Sequence, residues 1–169
     1  MDGEAAGGCG CAESSSKSKV DLVILIDSST TMPNKAAAVN ESAPAALEAT
    51  TKSCGADTRV TWLWVDDQKP GSNTIHGLST SAGNFTRSHQ EYLESVGASG
   101  PFYHDTPDTG YTREQGADAI ADISEFFDWR AGACRSIFYI CDTKLEGYTT
   151  DLPVLVSGIF RLGDVAFII

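Results

Sequence analysis

Residues 20–33 read VDLVILIDSSTTMP. The first seven, VDLVILI, are a short, nearly continuous apolar run rich in β-branched side chains, the pattern of a strand buried on both faces. The polar turn DSSTTMP follows at once, and an alanine-rich stretch then runs over residues 35–53. Within it Val39, Ala43, Ala46 and Thr50 share one helical face. Thr31 suits the N-cap and Pro33 the first turn, whereas Pro44 predicts a kink or a split. A buried strand, a tight polar turn and a helix make the opening unit of an α/β fold.

The same grammar recurs downstream. RVTWLWV at 59–65, RSIFYIC at 135–141 and DVAFII at 164–169 read as further strands. Residues 72–78 suit a short edge strand and residues 86–96 a short helix. Residues 112–129 carry Gly116, Ile120, Ile123 and Phe127 on one face of an amphipathic helix. Residues 151–162 are expected to be helical, with Pro153 in the first turn. Strands alternating with helices predict a doubly wound, mostly parallel, Rossmann-like sheet with helices on both faces. Residues 1–19, rich in Gly, Ala and Ser, read as a flexible tail, and residues 20–169 as one domain.

In such sheets ligands sit beyond the carboxyl ends of the strands, where strand order reverses. Two loops leave apolar strands there, 27–31 and 142–147, and each begins with an aspartate. Asp27, Ser29 and Thr31 form a D-x-S-x-T pattern. If the chain stays extended on leaving the strand, alternate side chains point the same way and their oxygens converge. Hard cations such as Mg2+, Mn2+ or Ca2+ take oxygen ligands of this kind. A cage of two hydroxyls and one carboxylate leaves a dication much of its charge, free to accept a carboxylate from outside.

These residues resemble the metal-ion-dependent adhesion site of the von Willebrand factor A family, which includes integrin inserted domains. The resemblance spans roughly residues 20–169. Asp27, Ser29 and Thr31 match the family's D-x-S-x-S segment, with threonine for the last serine. Thr112, in DTGYTREQGADAI, matches the loop threonine before a helix, and Asp142, in SIFYICDTKLEG, the aspartate after the fourth strand. Tyr111 and Thr143 stand where the family often has glycine. The resemblance implies that Mg2+, or Mn2+ or Ca2+, is held by Asp27, Ser29, Thr31, Thr112 and Asp142, and that a protein partner offering a carboxylate is bound. It also implies a sixth strand and a closing helix beyond the fifth strand, which this sequence lacks up to Ile169. The chain would then be a fragment, or another subunit would cover the apolar edge at 165–169, an edge without protecting lysine or proline.

Composition agrees with a binding module. The formal charge is -11, from 23 acidic and 12 basic residues, which argues against nucleic acid as a partner. No stretch approaches the roughly 18 apolar residues of a membrane span, and residues 1–19 hold no apolar signal core. The odd set Cys9, Cys11, Cys54, Cys134 and Cys141 is not a disulfide framework; Cys141 reads as a small core residue. His76, His89 and His104 fall in polar segments; His104 and Asp105, in the loop before Thr112, read as solvated loop residues rather than neighbours of the metal. There is no P-loop, no nucleophile elbow and no dinucleotide fingerprint. The leading expectation is therefore non-enzymatic: a metal-dependent protein-binding module for adhesion or assembly. The alternative is a structural subunit of a virion, tail or pilus, with a structural or vestigial metal site.

Overall fold

The computed structural model describes residues 17–28, 32–65, 83–100, 116–142, 159–162 and 165–168. The elements in order are β1 (Lys19–Ile26), α1 (Pro33–Cys54), β2 (Asp57–Trp64), α2 (His89–Ser95), α3 (Gly116–Phe126), β3 (Cys134–Ile140), β4 (Ile159–Leu162) and β5 (Val165–Ile168). β1 lies between β2 and β3 and pairs parallel with both. Ile26 stands opposite Trp64 on one side and Ile140 on the other, so all three strands end at one level.

Alternation along the strands divides the core in two. Val23, Leu25, Leu63, Val65, Tyr139 and Cys141 pack with Tyr92, Leu93, Ala119, Ile120 and Ile123 beneath α2 and α3. Leu22, Ile24, Ile26, Trp62, Trp64, Phe138 and Ile140 face the other way, with Met32, Ala36, Val39 and Leu47 around α1. Parallel strands buried on both faces cannot alternate polar and apolar residues, and this is why they appear as continuous apolar runs. The chain is thus an α/β domain, a parallel three-stranded sheet with helices on both faces.

The helices follow local chemistry with instructive exceptions. α2 starts on a capping box: Ser88 Oγ accepts the Glu91 N–H at 3.1 Å, and the Glu91 carboxylate accepts the Ser88 N–H at 2.9 Å. In α3 the expected face is the observed one, with Gly116, Ile120, Ile123 and Phe127 all buried. α1 departs from expectation in three ways. Its N-cap is Met32, without a side-chain cap, rather than Thr31. It runs unbroken through Pro44, which takes away one backbone hydrogen bond. Its inward line is Ala36, Val39, Ala43 and Leu47, while Ala46 and Thr50 are exposed.

The C-terminal segment needs correction too. Residues 159–162, expected to end a helix, form the strand β4, which pairs antiparallel with β5. One side of the 165–168 strand is therefore covered from within the chain, by a hairpin separate from the parallel sheet. Isoleucine, phenylalanine and leucine in IFRL are as well suited to a strand as to a helix, so pairing decides. Cys141 is a fully buried thiol in the core, as expected. Cys134, by contrast, is held in a disulfide. No helix among the described residues is long and apolar enough to cross a membrane. The expected edge strand at 72–78 and the tail at 1–16 lie outside the described residues.

Candidate functional site

Among the described residues, the amino ends of the strands carry a dense polar network. Asp21, fully buried in β1, accepts hydrogen bonds from Arg59 Nε at 3.1 Å, Arg59 Nη2 at 2.8 Å, Arg130 Nε at 2.7 Å and the Arg130 N–H at 2.7 Å. Burial pushes this carboxyl up, but the Arg130 N–H and the two guanidiniums outweigh burial and hold it below its ordinary value. Arg130 also donates to the Asp57 carboxylate at 2.9 Å and to the Val20 carbonyl at 2.9 Å. Arg59 reaches Asp128 at 3.0 Å, and the Tyr92 hydroxyl donates to the same carboxylate. Burial first, then that hydrogen bond, raises the Tyr92 hydroxyl above its usual range. These groups are closed on one another, which is the signature of a structural clamp.

The carboxyl ends are different. The parallel register sets Asp27 one residue past Ile26 and Asp142 two past Ile140, so the two aspartates leave adjacent strands at the same end of the sheet, one register position apart. The Asp27 N–H donates to the Ile140 carbonyl at 2.9 Å, and the Val65 N–H to the Ile26 carbonyl at 2.9 Å. These bonds extend both ladders by one step and fix the backbone where the loops begin. Asp27 is 2% exposed and Ser28 1%. The Asp142 side chain is 12% exposed and forms an ion pair with Lys35, in the first turn of α1. Of the five residues expected to hold a metal, Asp27 and Asp142 are thus brought to one end of the sheet; Ser29, Thr31 and Thr112 lie outside the described residues. No group of three His, Cys, Asp or Glu side chains that could hold a metal occurs among the described residues.

Carboxylate oxygens are donors that a hard dication can take. A carboxylate removed from water demands a cation or several hydrogen bonds, and Asp142 already draws the ammonium of Lys35. The sequence expectation adds the hydroxyls of Ser29, Thr31 and Thr112 to the carboxylates of Asp27 and Asp142, oxygen donors of the kind a hard cation takes.

A further polar group at this end escaped the reading of the sequence. His89, in a segment that reads as polar, is fully buried, and its Nε2 lies 3.8 Å from Oδ2 of Asp122, also fully buried. Asp118, one turn earlier on α3, is fully buried as well. The bridge between Trp64 and Ser88 brings this segment to the end of β2 and carries His89 inward. The available signal was the spacing of Asp118 and Asp122 on a helix whose neighbouring face is apolar.

No protein-family model matches the chain, and no curated protein or solved structure matches it either.

Proposed function

We propose that this chain is a von Willebrand factor A-like, non-enzymatic module that binds a protein partner through a divalent metal ion. The observation that carries this reading is the pair of aspartates, buried Asp27 and partly buried Asp142, that leave adjacent strands at the carboxyl end of a parallel sheet. That is where α/β sheets collect ligands. The ion, Mg2+ or Mn2+ or Ca2+, supplies a positive centre that accepts an oxygen of the partner's carboxylate. Ser29, Thr31 and Thr112 hold it through hydroxyls, and Asp27 and Asp142 supply the negative charge that retains it. The paucity of charged ligands in such a cage leaves attraction for an outside acid.

The test is a thermal melt with and without Mg2+ or Mn2+, on the native chain and on Asp27→Ala. Metal at a hundredfold excess over its Kd stabilises a binding fold by about 2.7 kcal/mol. The native chain is expected to show this shift and Asp27→Ala to lose it. Partner binding is expected to vanish in EDTA, to return with Mg2+ and to weaken in Asp142→Ala. Equal shifts in the native chain and Asp27→Ala would move the ion elsewhere on the acidic surface, and EDTA-resistant binding would end the bridging mechanism.

A further inference from the structure

We infer that Lys35 is a built-in counterion of the site, occupying Asp142 until a divalent ion displaces it. The inference rests on the metal-site reading above. Lys35 stands in the first turn of α1 and Asp142 just past β3, 107 positions apart, and the tertiary fold alone joins them. The lysine side chain is 35% exposed and the aspartate 12%, so the ammonium reaches inward over the rim of the sheet rather than out into water, where lysines usually end. The exposed Lys52, 74% accessible, shows the ordinary arrangement, a surface pair with Glu48 four residues away on the same helix.

The physical consequence is competition. Asp142 lies largely out of water, and its charge must be balanced. An ammonium balances it with a single charge and donors that point only outward from nitrogen. A dication beside Asp142 balances it with two charges, but repels the ammonium across the same short distance. Both cannot hold the carboxylate at full strength, so each weakens the other's affinity by the same factor. Lys35 thereby lets the domain fold with Asp142 neutralised before any ion arrives. It also sets the metal affinity below what the oxygen cage alone would reach, and metal binding frees a cationic side chain at the rim where an acidic partner would approach.

The experiment is a titration of MnCl2 alone into the native chain, Lys35→Met and Lys35→Arg, with free Mn2+ read by electron paramagnetic resonance and folding by circular dichroism. Lys35→Met is expected to bind about tenfold more tightly, a difference of about 1.4 kcal/mol, and Lys35→Arg to bind like the native chain. Equal Kd values for the native chain and Lys35→Met overturn the competition and leave the metal site standing. Binding by Lys35→Met alone upholds the competition and overturns metal-dependent binding by the native chain. Absence of binding in both overturns both. Should Lys35→Met fail to fold, reductive methylation of the native chain decides: saturating Mg2+ is expected to accelerate labelling of Lys35 relative to Lys52, and an unchanged ratio overturns the inference.

Discussion

β1 carries a buried aspartate near each end, and the two ends treat it in opposite ways. Asp21, at the amino end, is gripped by two arginines and a backbone N–H, and those arginines are themselves tied to Asp57 and Asp128. At the carboxyl end Asp27 follows the last residue of the strand, and its neighbour Asp142 meets the flexible, partly exposed Lys35. Planar guanidiniums with several donors lock a carboxylate in place, whereas an ammonium on a four-carbon stem holds it as a removable point charge. One end of the sheet is closed by rigid guanidinium forks, and the other carries an aspartate paired with a lysine.

The largest test of that contrast is Asp21→Ala. It strands two guanidiniums at the end of the core, and breaking a buried pair in this way costs about 3 kcal/mol. Urea unfolding should show the loss as a lower midpoint with little change in slope. A cost under about 1 kcal/mol would mean that the amino end is no clamp.

Gly116→Ala probes the packing beneath the site. A Cβ at this helical position would lie 2.3 Å from the Tyr139 hydroxyl oxygen, so the ring or the helix must move. Overpacking of this kind costs about 2 kcal/mol, and differential scanning calorimetry should register it as a lower Tm. Tyr139→Phe in the same background should recover little of the loss, because the ring carbons Cζ at 2.4 Å and Cε1 at 2.8 Å remain in the way, whereas Tyr139→Leu, which removes the ring, should recover more.

Lys35→Met breaks the corresponding pair at the other end, and its expected cost without metal is about 1 kcal/mol, because water screens the partly exposed lysine while the largely buried Asp142 loses a cation. Set beside Asp21→Ala in the same urea series, it measures the asymmetry between the two ends directly.

A finer test uses acid. The Asp21 carboxyl is depressed in the folded protein, so the folded state binds fewer protons than the unfolded one as pH falls. Its contribution is fully present above the unfolded value of about 3.9 and is lost as pH drops through the lower folded value. Stability of the native chain should therefore fall more steeply below about pH 4 than that of Asp21→Asn. Parallel acid profiles would assign the acid sensitivity to other carboxylates.

Much of this was legible in the chain itself. VDLVILI and RSIFYIC could hardly be anything but strands covered on both faces, because water would not tolerate either side of them. Asp27 and Asp142 announced themselves by following such runs directly, and Gly116, Ile120, Ile123 and Phe127 by their period. Cys141 belonged to the core on the strength of its neighbours. What remained hidden depends on partners far along the chain. Asp21 looks like one polar residue in an apolar strand, and nothing nearby reveals that Arg59, 38 positions on, and Arg130, 109 positions on, will close over it. His89 lies in a polar segment and is buried because the bridge from Ser88 to Trp64 draws it under α3. IFRL satisfies helix and strand alike, and its pairing with VAFI chose the strand. Periodicity reports which face an element buries, a local property of backbone geometry. Which charge meets which is set only when distant elements pack, and so the two aspartates of the candidate site could be picked out in the sequence while the lysine beside one of them could not.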